Sequence, residues 1–76
     1  MRLLLQQRPD GREAPRFVQL QLQPDLLGGW TLLRESGQIG GRSTLKRELY
    51  TDQASALAAL ESARDAQLKR GFQLMF

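Results

Sequence analysis

The residues best suited to chemistry gather in one stretch, where Arg34, Gln38, Arg42, Lys46 and Arg47 flank Gly37, Gly40 and Gly41. Cations and an amide at this density neutralise phosphate oxygens and hydrogen-bond to them. Glycine takes positive φ without steric cost, so Gly37, Gly40 and Gly41 are expected to turn the chain and let its backbone approach an anion. The expectation is a hairpin tip that doubles as a contact surface. No Gly-Lys-Ser/Thr sequence follows the glycines, so a P-loop is excluded. Glu35 and Glu48 lie among the cations and dilute the patch. Charged ends of exposed strands are also common for solubility alone.

Catalytic alternatives are few. The chain has no histidine and no cysteine, which removes the usual zinc sites, the Ser-His-Asp triad and the Cys-His pair. Asp10, Glu13 and Asp25 fall in loops, where nothing fixes the separation that paired carboxylates need. A non-catalytic binding protein without metal or cofactor is the expectation. With 76 residues, 41% of them hydrophobic, the chain reads as a single folded domain over 1–76, whose small core leaves little room for a deep pocket. Eleven basic and eight acidic residues give a net charge of +3, a weak preference for anionic partners. Leu3, Leu4 and Leu5 form too short an apolar run for a signal segment or a membrane span, so a cytoplasmic location without membrane contact is expected.

The elements that position these residues follow from apolar spacing and turn chemistry. Arg2 to Gln7 reads as a strand ended by Arg8-Pro9-Asp10-Gly11, with a loop through Pro15. Arg16 to Gln23 alternates, placing Val18, Leu20 and Leu22 on one face and Phe17, Gln19, Gln21 and Gln23 on the other. Leu26-Leu27, between Pro24-Asp25 and Gly28-Gly29, form a loop. Trp30 to Glu35 and Thr44 to Tyr50 are the next strands, with Leu45 and Leu49 opposite Lys46 and Glu48. Thr51 or Asp52 caps a helix that runs from Gln53 to Arg70 and stops at Gly71. Its apolar side carries Ala56, Leu57, Leu60 and Ala63, with Leu68 near the edge. Arg64 covers the core with its stem while its guanidinium reaches water, and a pair with Glu61, three residues away, is open to it but poorly placed. Phe72, Leu74 and Phe76 alternate and either cross the open end of the core or add a short strand. The fold class is α+β: an antiparallel β-sheet of about four strands with one long C-terminal helix packed on the face that holds Val18, Leu20 and Leu22. Trp30 is expected in the core with Leu20, Leu22 and Leu60, and Gln19, Gln21, Glu35, Lys46 and Glu48 on the solvated face.

This order of segments resembles the WGR domain family, a small binding module of bacterial proteins and of DNA-dependent poly(ADP-ribose) polymerases. Arg16-Phe17 matches the opening basic and aromatic pair, Trp30 to Arg34 the strand before the signature, and Ile39-Gly40 the residues after it. Lys46 and Arg47 match the basic strand, Ala56, Leu60 and Ala63 the inward helix positions, and Gly71-Phe72 the closing pair. The defining Trp-Gly-Arg is replaced by Ser36-Gly37-Gln38. In family members that bind DNA, that tryptophan stacks on nucleic acid and that arginine makes polar or interdomain contacts. Ser36 cannot stack and Gln38 carries no charge. The resemblance therefore implies a bacterial, WGR-like fold and leaves two functions open. One is sequence-independent DNA binding through Arg34, Gln38, Arg42, Lys46 and Arg47. The other is a protein-interaction module of the same fold that has lost DNA binding. A homodimer seam through Phe72, Leu74 and Phe76 is a further expectation.

Overall fold

The structure is a computed structural model that describes residues 1–8, 11 and 14–76. The expected turn at Pro9-Asp10 and the carboxylates of Asp10 and Glu13 lie outside the described residues. The element order is β1 (Arg2–Gln7), β2 (Arg16–Pro24), β3 (Trp30–Gln38), β4 (Ser43–Tyr50), α1 (Gln53–Lys69) and β5 (Phe72–Leu74). All strands join one antiparallel sheet in the order β4-β3-β2-β1-β5. The α+β class and the single helix match expectation. The fifth strand is the C-terminal segment, which returns along β1 with Phe72 opposite Gln7 and Leu74 opposite Leu5.

Alternation in β2 sets the core. Val18, Leu20 and Leu22 are buried, and the register places them beside Leu5 and Leu3 of β1 and Leu32 of β3. Helix α1 lays Ala56, Leu60 and Ala63 on this floor, a four-then-three spacing that keeps one face on the sheet. Leu5, Leu20, Leu32 and Leu60 are fully buried, and each such side chain contributes about 1.5–3 kcal/mol relative to exposure. Phe72 closes the core at 7% exposure. Leu57 packs at its margin and Leu68 is exposed.

The helix starts on Asp52, whose backbone is extended and whose carboxylate accepts the Ser55 N–H at 2.7 Å and the Ser55 hydroxyl at 3.1 Å. These bonds satisfy a donor that the first turn otherwise leaves orphaned. They also hold the Asp52 carboxyl below its ordinary range, the backbone bond contributing most. Arg70 is the C-cap, with Gly71 following it. Arg64 pairs with its neighbour Asp65 at 3.0 Å rather than with Glu61.

Three expectations need correction. Trp30 is half-buried and packs against the core rather than within it. Lys46 and Glu48 do not share the outer face with Gln19, Gln21 and Glu35. Lys46 stands opposite Arg34 and Leu20, and Glu48 opposite Leu32 and Leu22, which puts both on the helix side. Leu45 and Leu49 take the outer face, at 59% and 72% exposure. Helix α1 reaches β4 but leaves Ser43 to Arg47 exposed, so burial did not choose which face of that stretch is apolar. The register with β3, which sets Leu45 opposite Glu35 and Leu49 opposite Thr31, fixes it. Finally, Gly37 is a strand residue paired with Ser43, and Gly40 is the member of the glycine cluster with positive φ, 78°.

Candidate functional site

The β3–β4 hairpin is built on two different uses of glycine. At Gly40 the chain reverses, closed by a bond from the Gly41 N–H to the Gln38 carbonyl at 2.9 Å, and positive φ at the third position of such a turn selects glycine. At Gly37 the demand is space. A Cβ there would stand 2.2 Å from the Arg42 carbonyl and 2.7 Å from the Ser43 Cα. The two strands approach too closely for any side chain.

The structure divides the expected phosphate-binding residues. Arg34 and Lys46 are cross-strand neighbours on the helix side. Arg47 alternates with Lys46 and lies on the outer face between Leu45 and Leu49. Arg42 sits at the exposed hairpin tip. Gln38 is engaged, its amide donating to the Ala14 carbonyl at 2.9 Å. The guanidinium of Arg34 is also engaged, its Nε forming an ion pair with Glu48. That contact is close but poorly directed, since Arg34 Nε is left without an aligned hydrogen bond. Glu48 further accepts from the Tyr50 hydroxyl at 2.7 Å, which raises the Tyr50 pKa, with burial adding to the rise. Arg42, Lys46 and Arg47 form no ion pair among the described residues.

Two features emerge that cation spacing did not indicate. The first is the free margin of β4. The Gln38 N–H donates to the Arg42 carbonyl and the Ile39 N–H to the Pro15 carbonyl. Bonding direction alternates along a strand, so Thr44, Lys46, Glu48 and Tyr50 bond to β3, while Ser43, Leu45, Arg47 and Leu49 direct N–H and C=O away from the sheet. Leu49 continues into a shallow groove shared with Leu27, Tyr50 and Thr51. Leu26 and Leu27 project almost fully into solvent from a turn held by Asp25, whose carboxylate accepts the Leu27 and Gly29 N–H groups at 2.8 Å each.

The second is a cleft of about 160 Å³ between α1 and the hairpin, floored by Val18, Leu20 and Ala63 and walled by Arg34, Ser36, Thr44, Lys46 and Gln67. Gln67 continues the inward helix face four residues after Ala63. Its place was legible as a polar residue on the apolar stripe, whereas the roles of Ser36 and Thr44 needed the strand register.

The expected dimer seam is split. Phe72 is core, so it is not available to a partner. Beyond β5 the N–H groups of Met75 and Phe76 both reach the Leu4 carbonyl, and the Leu4 N–H returns to the Phe76 carbonyl. Two residues facing one make a bulge. It interrupts the alternation and sets the Phe76 ring under the Arg2 guanidinium, 5.5 Å from the ring centre. Leu74 and Phe76 are exposed. No helix of the described residues is long and apolar enough to cross a membrane. The chain matches no protein-family model, no curated protein and no solved structure.

Proposed function

We propose that this chain is a non-catalytic, WGR-like protein-interaction module that receives an extended segment of its partner along β4. The observation that carries the reading is the margin of that strand. Leu45, Arg47 and Leu49 offer backbone groups that are unpaired among the described residues, beside exposed leucine side chains. An added strand gains main-chain hydrogen bonds from such a margin and side-chain contacts from the outer face. Proline substitution tests it. At Arg47 the N–H points outward, so Arg47→Pro removes a donor to the partner and spares the bonds to β3. Lys46→Pro removes a bond to β3 instead. The expected outcome is a folded Arg47→Pro protein that no longer binds extended peptides, and a destabilised Lys46→Pro protein. Peptide binding that survives Arg47→Pro would exclude addition at β4.

A second reading, sequence-independent DNA binding, is favoured by Arg42, Lys46 and Arg47, which have no carboxylate partner among the described residues. The bound state of Arg34 and Gln38 and the separation of Lys46 and Arg47 onto opposite faces weigh against a joint phosphate patch. If roughly two to four phosphates are neutralised, log K falls with log salt at a slope of about −2 to −4. Absence of duplex binding at low salt excludes this reading.

A further inference from the structure

The cleft between α1 and the hairpin has a chemistry of its own. Two cations, Arg34 and Lys46, stand on one wall with the hydroxyls of Ser36 and Thr44, and Gln67 stands on the other. None of its lining residues carries a carboxylate. The two buried side-chain polar atoms without a hydrogen bond among the described residues, Arg34 Nε and Gln67 Oε1, both belong to residues of this lining. Buried polar atoms are ordinarily satisfied; here Arg34 Nε keeps only its misaligned contact with Glu48 and Gln67 Oε1 accepts no bond among the described residues, so the charge of the lining is what calls for an anion. Glu48 answers part of the Arg34 charge from outside the cleft, while Lys46 has no such counterpart among the described residues.

We infer that this cleft is a carboxylate pocket, and that the segment added along β4 presents a glutamate to Lys46 and Gln67. The inference rests on the β4 reading above. A strand added to β4 lies about 4.8 Å from it and turns every second side chain to the helix side. There it meets Thr44 and Lys46, the β4 residues that line the cleft. A carboxylate has acceptor sites for the Lys46 ammonium, the hydroxyls, and the Gln67 amide once its NH2 is turned inward. The volume of about 160 Å³ admits a carboxylate with a few waters, each taking about 30 Å³, and is small for a cofactor. A glutamate stem reaches further over Thr44 than an aspartate stem does.

Two short alternating threonine–valine peptides, identical except for a central glutamate or glutamine, test this against the isotope-labelled full chain by amide chemical-shift titration. Both are expected to shift β4 amides, with the glutamate peptide binding about tenfold tighter, as a charge-assisted bond in a partly buried site allows. Lys46→Gln and Gln67→Leu should each bring the glutamate peptide down to the level of its glutamine counterpart. Thermal melts confirm that both variants fold, and replacing an unsatisfied amide with leucine is not expected to destabilise. Equal affinity for the two peptides would overturn the pocket and leave the β4 reading standing. A glutamate preference that survives both substitutions would assign it to cations outside the cleft. If neither peptide moves the β4 amides, the pocket and the β4 reading fall together.

Discussion

Beneath α1, strands β1 and β2 bury Leu5, Val18, Leu20 and Leu22, whereas β4, in the same sheet, exposes every residue from Ser43 to Arg47. In the covered half, a side chain's position is decided by what it removes from water. In the uncovered half it is decided chiefly by register, because the residues from Ser43 to Arg47 stay exposed on both faces of β4. Leucines in the first half therefore hold the fold, and leucines in the second half are free to serve a contact. This contrast separates residues by consequence, and substitutions on the two sides should differ by several kcal/mol.

The largest effect is expected at the centre of the covered half. Leu60 is 1% exposed, and Leu60→Ala removes its transfer free energy and leaves a cavity, for about 2–5 kcal/mol. Domains of this size have little more than that in total. Chemical denaturation should show the midpoint moving to much lower denaturant, or no cooperative transition at all. An unchanged midpoint would mean that Leu60 does not face the sheet.

Next comes Gly37, where the two halves are hinged. Its missing Cβ is required by the Arg42 carbonyl and Ser43, both backbone atoms that a side chain cannot push aside cheaply. Gly37→Ala should cost about 1–3 kcal/mol, the range for overpacking. Gly40→Ala strains a positive φ with open space around it, at about 1–2 kcal/mol, and its loss should be the smaller of the two. Equal losses would indicate that conformation, rather than strand approach, governs both glycines.

The same contrast explains what was legible from the amino-acid order. Alternation at Val18, Leu20 and Leu22 and the spacing of Ala56, Leu60 and Ala63 placed β2, α1 and their packing correctly, because burial enforces periodicity where it acts. The capping chemistry of Asp52 was equally readable, since it depends on residues three apart. At β4 the alternation of Leu45 and Leu49 was real, but it pointed to the outer face, as apolar spacing carries no sign of direction without a layer to cover it. Gly37 read as a turn residue because close approach of strands and positive φ call for the same amino acid. Of the expected site residues, Arg34 and Lys46 do meet, through a register that spacing on a single strand cannot provide. Gln67 is readable as a polar residue on the inward helix face, but its meeting with Arg34 and Lys46, more than twenty residues away, comes through tertiary packing.

A smaller effect, tied to pH, belongs to the helix start. The Asp52 carboxyl is held below its ordinary range in the fold, so its contribution is present above the unfolded-state pKa and is lost as pH falls through the folded one. Asp52→Ala should lower the melting temperature at neutral pH, and the gap from the parent should close below the ordinary carboxylate range. Asp52→Asn, which still caps, should lose less. A gap that persists in acid would show that the carboxylate charge is not what the cap uses.

The smallest effect on stability is expected in the uncovered half, and it is the one that bears on function. Leu45 and Leu49 pack against no core residue, and threonine suits an exposed strand as well as leucine does. The double substitution Leu45→Thr with Leu49→Thr should therefore stay within about 0.5 kcal/mol of the parent, as surface changes do. Binding of extended peptides should nevertheless weaken, because the outer-face contacts beside the added strand are lost while the backbone donors remain. Arg47→Pro removes one outward main-chain donor and keeps the leucines, so the two variants separate main-chain from side-chain recognition. If the leucine double variant proves as destabilised as Leu60→Ala, the two halves of the sheet are not distinct, and the exposed face of β4 is part of the fold rather than a surface for a partner.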